Sequence, residues 1–225
     1  MLQRVNRRQL MQVRRANKPD IPFLVDAIME AEASGSQHIS YREIFCLNDR
    51  ELRDLLHSIL SEDIQGCGWS PPEFLIAEQD SETAACCAAW IEGAGGLPSH
   101  IIKSQLLVEF LGQEKWENSK ENLNAASEIN IARTPGILQI ESVYTQPRYR
   151  GNGLSGILIR EHLLQAAKTG TRSAEIQLMK NNGAAMRAYQ KVGFILKGEK
   201  GSHNNKLGTI LPYHTRLLMA KDLLS

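Results

Sequence analysis

The segment 137–168 constrains the fold most, because a strand pattern, a glycine-rich loop and a helix pattern follow one another there. Residues 137–145 have the composition of a strand, and residues 154–168 show helical periodicity. The loop between them, 146–156, has glycines at positions 151, 153 and 156. A helix that starts at Leu154 directs its free N–H groups and the positive end of its dipole at this loop. The pattern therefore predicts an anion site suited to phosphate, with Arg148 and Arg150 at its mouth.

Two other interpretations fit this loop less well. Asn152-Gly153 is a favoured hairpin turn, but a helix pattern rather than a strand follows it. The three glycines also match the G-x-G-x-x-G spacing of dinucleotide-binding folds. Against that fold, Pro147 and Arg150 occupy the turn, and no early βαβ unit with a ribose-binding acid accompanies them.

The rest of the chain has strand and helix patterns without a linker, which predicts one α/β domain whose sheet has some parallel pairing. Strands are predicted at 11–16, 74–77, 84–91, 173–179, 194–199 and 213–221, with a turn at 80–82. Helices are predicted at 21–33, 49–60, 100–111 and 184–192. Residues 93–134 form an insertion, in which the polar stretch 113–127 fits either a helix or a mobile loop.

Composition excludes several classes of protein. The 225 residues carry 26 Lys and Arg against 25 Asp and Glu, and this net charge of +1 argues against a general nucleic-acid-binding protein. No apolar run is long enough to cross a bilayer, and none follows the basic N-terminal residues, so we expect neither membrane insertion nor a signal peptide. The basic residues are interpreted as the solvated face of a first strand and its lead-in: Arg4, Arg7, Arg8, Arg14, Arg15 and Lys18.

The four cysteines predict neither a zinc site nor a disulfide framework. Cys46, Cys67, Cys86 and Cys87 form no C-x-x-C pair and have no zinc-binding spacing. In a chain of this length we expect reduced, mostly buried thiols, which favours a cytoplasmic location. The histidines show no ligand spacing either, so we expect no metal.

Two motifs in the second half resemble those of the GNAT superfamily of N-acetyltransferases. The letters R-G-N-G-L-S at 150–155 are similar to the family's acyl-CoA pyrophosphate motif R-x-x-G-x-[G/A], with Ser155 in place of Gly or Ala. Residues 182–194 match N-x-x-A-x-x-x-Y-x-K-x-G-F at every fixed position. The resemblance implies a GNAT-like α/β (α+β) fold, with a mixed, mostly antiparallel sheet and helices on both faces. It extends more loosely over 11–92, whereas 93–134 resemble no part of the family.

The resemblance implies acetyl-CoA as co-substrate. The strand before the loop would bind the pantetheine arm through its backbone, and the N–H groups of the loop would hold the pyrophosphate with Arg150 against it. Asn182 would contact the pantetheine arm or the strand ends, and it is also a good cap for the helix that follows. The implied cofactor-binding residues are Val143, Tyr144, Thr145, Arg150, Gly151, Asn152, Gly153, Leu154, Ser155, Gly156, Asn182 and Tyr189.

Two residues are implied to carry the proton transfers. Tyr189 lies on the apolar stripe of its helix, where it is either a core residue or the acid whose hydroxyl faces the CoA sulfur. Glu141 is the candidate base, and we expect it on the same face of its strand as Val143, two residues on. The alternative for Glu141 is a solvated carboxylate at a strand end, and Glu92 is the reserve base.

The implied function is transfer of an acetyl group from acetyl-CoA to a small-molecule or peptide amine by direct attack. Cys86 and Cys87 have no histidine nearby in the sequence, which disfavours a thiol nucleophile. The alternative is a non-catalytic CoA-binding or interaction module on the same fold, and the near-zero net charge disfavours a chromatin-bound enzyme. We expect residues 93–134 to shape acceptor choice, with the polar half as a lid, or else to be a structural elaboration or a homodimer contact.

Overall fold

Seven strands form one sheet in the computed structural model, which describes residues 11–223. Their spatial order is β1-β2-β3-β4-β5-β7-β6, and β4 with β5 is the one parallel pair in this part of the chain. The predicted mixed, mostly antiparallel sheet is therefore confirmed. The strands are β1 Met11–Arg15, β2 Phe74–Gln79, β3 Glu82–Ile91, β4 Leu138–Thr145, β5 Ser173–Met179, β6 Ile195–Gly201 and β7 Thr215–Asp222.

Helices connect these strands. Helix α3 begins with a capping box, in which the Asn48 side chain accepts from the Glu51 N–H at 3.0 Å and the Glu51 carboxylate accepts from the Asn48 N–H at 2.8 Å. Short 3₁₀ turns lie at Lys18–Asp20, Pro71–Glu73 and Pro147–Tyr149. The helices are α1 Ile21–Ala33, α2 Ser40–Ile44, α3 Asp49–Ser61, α4 Ser99–Leu111, α5 Gln113–Asn118, α6 Lys120–Ser127, α7 Leu154–Lys168, α8 Gly183–Lys191 and α9 Leu207–Ile210.

The helices cover both faces of the sheet, and each face has its own hydrophobic core. The first core contains side chains of α1, α3 and α4, with Leu24 and Leu56 almost completely buried. The second core lies under α7 and α8 and contains Leu158. Strand β3 contributes to both by its alternation, since Cys86 faces the first core and Cys87 the second. Helices on both faces were predicted, and this is confirmed.

Several local features differ from the predictions. Helices α2 and α9 were not predicted, because elements of 5 and 4 residues are too short to show a helical period. The hairpin turn is shorter than 80–82: Asp80 and Ser81 adopt positive φ angles of 53° and 67°, and Glu82 already belongs to β3. The polar stretch 113–127 forms α5 and α6, because Trp116 anchors it by stacking on Phe45 at 6.0 Å.

The basic N-terminal residues are only partly a solvated face. Arg15 and Lys18 are exposed, as predicted, but the Arg14 guanidinium pairs with Asp20 at 2.7 Å and with Glu78 at 2.8 Å. The residues Arg4, Arg7 and Arg8 lie outside the described residues. Within the described part of the chain, no helix has both the length and the apolar character needed to cross a membrane.

A β-bulge in β4 decides which of its side chains point to each face of the sheet. Ser142 has a φ of +50°. Between Glu141 and Tyr144, β4 has two residues, whereas the paired segment of β3 has only one. Glu141 and Tyr144 therefore lie on the side of the first core, whereas Val143 packs in the second. The prediction that Glu141 and Val143 share a face is wrong, because the bulge shifts the alternation by one residue.

His162 on α7 makes the fold sensitive to acid. Its ring is buried beneath β3, where Nε2 donates to the Cys87 carbonyl oxygen at 2.9 Å. Burial lowers the pKa of His162 from 6.5 to about 4. Between these two pH values the unfolded chain binds a proton that the folded chain does not, so folding stability falls as the pH is lowered.

We predict that a His162→Gln variant loses less stability than the wild-type protein between pH 6.5 and pH 4, by roughly 3 kcal/mol. Glutamine keeps a donor for Cys87 but does not titrate. The free energy of unfolding from urea titrations at each pH measures the difference. Exposed His100 offers the control, because His100→Gln should follow the wild-type curve, and parallel curves for His162→Gln and wild type would contradict the prediction.

Candidate active site

The central cleft of the molecule begins where β4 and β5 separate. Their parallel pairing covers Leu138–Ile140 against Ala174–Ile176 and then ends. A cavity of about 390 Å³ lies beyond this point, between the second half of β4, the end of β5, α8 and the loop that follows α1. Among its lining residues are Glu32, Glu141, Ser142, Val143, Tyr144, Thr145, Arg150, Ser155, Asn182, Tyr189 and Arg216.

Many of the predicted cofactor-binding residues, which lie in separate segments of the sequence, line this one cavity. The strand residues Val143–Thr145, the loop residues Arg150 and Ser155, and the α8 residues Asn182 and Tyr189 all line it. The loop residues Gly151–Leu154 do not line it but lead from Arg150 into the first turn of α7. Gly156 lies within that first turn, where an added Cβ would contact Arg160 and Val192.

The loop before α7 has the geometry of an anion site. Gly151 and Gly153 adopt left-handed φ angles of +87° and +75°, and a Cβ built on either one would have no heavy atom within 4 Å. Gly153 is the N-cap of α7, and no side chain caps the helix, so the first N–H groups are available to a ligand. Of the two predicted cations, Arg150 lines the cavity, whereas Arg148 pairs with Glu82.

Asn182 and Tyr189 line the cavity from opposite ends of α8. The Asn182 side chain accepts from the Ala185 N–H at 3.1 Å and so caps α8, as the alternative interpretation predicted, while it also lines the cavity. Tyr189 is almost fully buried in the second core and reaches the cavity wall. Burial raises the pKa of the Tyr189 hydroxyl well above 10, so it remains protonated at neutral pH.

Glu141 is held by two cations from the insertion. Its carboxylate accepts from Lys103 Nζ at 2.5 Å and from Arg133 at 2.8 Å. Lys103 Nζ also lies 4.6 Å from the centre of the Trp69 ring. Burial alone would raise the pKa of Glu141, but Lys103 and Arg133 lower it to about 2. A carboxylate that holds its charge so strongly is a poor proton acceptor, which argues against the predicted base role.

The carboxylate of Glu92, the reserve base, also has hydrogen-bond partners for both of its oxygens. It is buried beyond the end of β3 and does not line the cavity. One carboxylate oxygen accepts from Trp90 Nε1 at 3.1 Å, and the other accepts from the Ser99 N–H at 2.8 Å at the start of α4. These contacts give Glu92 a structural role in holding the insertion against the sheet.

Comparisons with known proteins identify the family. The model of the acetyltransferase (GNAT) family matches residues 41–194. The chain belongs to this family. No curated protein sequence matches it.

Solved structures that resemble this GNAT chain share its fold at low sequence identity. One acetyltransferase is 16% identical, with a TM-score of 0.63 over 94% of this chain and 99% of that chain. An N-acetyltransferase from Staphylococcus aureus Mu50 is 18% identical, with a TM-score of 0.59 over 93% and 100% of the two chains. The protein yncA from Salmonella typhimurium, solved with its cofactor acetyl-CoA, is 15% identical, with a TM-score of 0.55 over 96% and 95%.

Sequence reasoning missed Glu32 and Arg216, which are among the charged residues that line the GNAT cavity. Glu32 is next to the last residue of α1, and Arg216 is the second residue of β7. Burial raises the pKa of Glu32, and Glu141 raises it further against the opposing effects of Arg216 and Lys103. Neither residue belongs to a motif, so the sequence offered no signal for either one. Among residues 11–223, no group of three or more His, Cys, Asp or Glu side chains could hold a metal ion.

We predict that Glu141→Gln lowers the free energy of unfolding by roughly 3 kcal/mol, because it leaves Lys103 and Arg133 without their counterion. That loss is at the low end for a broken buried ion pair, since the Glu141 side chain is 25% exposed. Denaturant titration at neutral pH measures it, with exposed Glu30→Gln at the cavity rim as the control. If the Glu141→Gln variant keeps its stability and loses acetyl-transfer rate only at low pH, the result would instead support the base role.

Proposed function

We propose that the chain is an N-acetyltransferase that moves the acetyl group of acetyl-CoA to an amine by direct attack. One observation carries this proposal: a single cavity, opened by the separation of β4 and β5, joins Arg150 and Ser155 of the phosphate-type loop to the buried Tyr189 hydroxyl. Family membership and the acetyl-CoA-bound yncA structure of similar fold support the same reaction class.

The residues present fit acetyl-CoA. The uncapped N-terminus of α7 and the open space beside Gly151 and Gly153 suit the pyrophosphate, with Arg150 and the Ser155 hydroxyl close by. The backbone of Val143–Thr145 has no strand partner on the β5 side, and it would pair with the amides of the pantetheine arm. Bound acetyl-CoA supplies an acetyl group activated as a thioester.

Two tasks then fall to this chain's own groups. Backbone N–H groups around the bulge at Ser142 would stabilise negative charge on the carbonyl oxygen. Tyr189 would donate its proton to the departing sulfur, and its high pKa keeps that proton available at neutral pH. The attacking amine must be neutral, so a further group or water must take its proton, and the contacts of Glu141 and Glu92 argue against both of them.

Glu141 and Glu92, the two predicted bases, are both held by ion pairs or hydrogen bonds. This observation favours the alternative function, a non-catalytic CoA-binding module on the same fold. The two functions differ in one measurement. An acetyltransferase releases free CoA thiol when acetyl-CoA and amines are supplied, and a thiol-reactive dye detects that release. A binding module would bind acetyl-CoA in calorimetry and release no thiol with any amine.

We also propose that residues 1–225 act as one catalytic domain, in a cytoplasmic protein, with 93–134 as an insertion. The insertion helices support this, because Leu106 and Ala125 pack in the first core together with α1 and α3. Lys103 and Arg133 extend from the insertion to Glu141, whereas no residue of 93–134 lines the cavity. The insertion would therefore influence the acceptor end indirectly, through Glu141.

We predict that Gly153→Val abolishes acetyl-CoA binding measured by calorimetry, because the side chain would occupy the open space at the start of α7. Valine is also strained at a φ of +75°, so the control must carry the same strain. Gly170→Val provides it, since Gly170 has a φ of +84° and open space at the other end of α7. If folded Gly153→Val protein binds acetyl-CoA as tightly as Gly170→Val protein, the assignment of the loop is wrong.

We predict that Tyr189→Phe leaves acetyl-CoA affinity unchanged and lowers kcat by roughly 10²- to 10⁴-fold, the range for loss of a general acid. Single-turnover kinetics should show that the chemical step has slowed. Tyr149→Phe is the matched control, because the Tyr149 hydroxyl donates to Glu82 at 2.7 Å and does not line the cavity. Equal kcat values for the two variants would leave Tyr189 as an ordinary core residue.

A further inference from the structure

We propose that the amine acceptor also carries a carboxylate, which Arg216 binds while Glu32 faces the amine. This inference rests on the proposed function and specifies its substrate class. Both side chains line the same cavity as Tyr189, and they reach it from different elements, α1 and β7. An acceptor with two groups of opposite charge would contact both.

Arg216 is a charged side chain without a partner. Arg216 lines the cavity beside Met179, its pairing partner between β7 and β5, and burial lowers the pKa of its guanidinium. No ion pair or side-chain hydrogen bond joins Arg216 to any residue from 11 to 223, whereas Arg133 and five other arginines of this region form ion pairs. A guanidinium stays charged at every accessible pH, and a partly buried charge without a partner is costly. A bound anion would remove that cost.

The carboxylates of the cavity leave Arg216 without a counterion of its own. Glu141 already accepts from both Lys103 and Arg133. Neither Glu32 nor Glu30, the other carboxylates that line the cavity, forms an ion pair with Arg216, and Glu30 is exposed at the rim. A ligand carboxylate would supply the counterion that Arg216 lacks.

The position of Arg216 separates this anion from the phosphates of CoA. Arg216 lies in β7, beside the end of β5, whereas the phosphate-type loop leads into α7, so the two anion sites reach the cavity from different elements. The arginine that lines the cavity from the loop before α7 is Arg150, and it would face the phosphates of CoA. The planar guanidinium matches a carboxylate with two parallel hydrogen bonds, and the cavity carboxylates Glu32 and Glu141 would repel a doubly charged phosphate more strongly than a singly charged carboxylate.

Glu32 then accounts for the proton that the amine must lose. The amine would give one proton to Glu32 before attack; as the nitrogen–carbon bond forms and the carbon–sulfur bond breaks, Tyr189 protonates the sulfur and regains a proton from the nitrogen. Glu32 returns its proton to water, so the balance is one acetylated amine, one thiol and one released proton. Around Glu32 lie the charged and titratable groups Lys103, Glu141 and Arg216, the Tyr41 hydroxyl, and the hydroxyl of Ser40.

The experiment compares acceptors that differ only in this negative charge. Thiol release from acetyl-CoA is measured with each proteinogenic amino acid and with its α-carboxamide, which keeps the amine and loses the carboxylate. We expect amino acids to be acetylated with a kcat/KM roughly 10- to 100-fold above their carboxamides. Arg216→Gln should remove that preference by raising KM for the amino acids alone, and Arg216→Lys should restore part of it.

Controls distinguish binding from folding. Arg53→Gln removes an exposed arginine outside the cavity, paired with Asp26, and should keep the wild-type preference. Since Arg216 has no partner to lose, Arg216→Gln should keep the wild-type melting temperature and acetyl-CoA affinity. Glu32→Gln should lower kcat and leave acetyl-CoA affinity unchanged, and the loss should shrink at high pH, where the amine is already neutral.

The outcomes separate this inference from the proposed function. If wild-type protein neither binds acetyl-CoA nor releases thiol, the proposed function itself is wrong. If it binds acetyl-CoA but acetylates carboxamides or other uncharged amines as well as amino acids, or no amino acid at all, the assignment of Arg216 is overturned. An Arg216→Gln variant that keeps the wild-type preference overturns it too.

Discussion

The site depends on the point at which β4 leaves β5. Backbone N–H and C=O groups need partners, and the half of β4 beyond Ile140 has none in β5. An extended chain in that state is stable only where water or a ligand supplies the missing hydrogen bonds. The bulge at Ser142 falls in the same half and turns Glu141 and Val143 to opposite faces. One short stretch of strand therefore presents its backbone to one ligand and side chains to both sides of the sheet.

The insertion is coupled to this stretch by charge rather than by contact with the cavity. Lys103 and Arg133 come from its helical and C-terminal parts and converge on Glu141, while the Trp90 ring lies 5.2 Å from the Arg133 guanidinium carbon. Such a cluster gains little net stability over apolar residues, but the loss of one member is costly. The position of residues 93–134 is thereby tied to the charge on Glu141, in the centre of the sheet.

Long elements with a clear period could be predicted from the sequence, and α1, α7 and β5 have the predicted bounds. The glycine loop and Tyr189 could also be predicted to form one site, because the two motifs that contain them occur in the order and at the separation typical of the family. The bulge could not, since one extra residue in β4 leaves no trace in composition. The cations beside Glu141 could not either, because Lys103 lies 38 residues away in sequence and meets Glu141 only through tertiary packing.

Two of the three carboxyl groups that line the cavity, Glu32 and Glu141, show why residue type alone does not identify a base. Glu141 has two cations within hydrogen-bond distance and keeps its charge, whereas Glu32 has none so close and is driven toward its neutral form by burial. Environments that push two carboxyl pKa values apart assign different roles to chemically identical groups. Arg216 is the cation that does most to lower the pKa of Glu32. On the proposed acceptor chemistry, a carboxylate bound to Arg216 would screen that effect and raise the pKa of Glu32, so the acceptor would itself increase the basicity of the group that takes its proton.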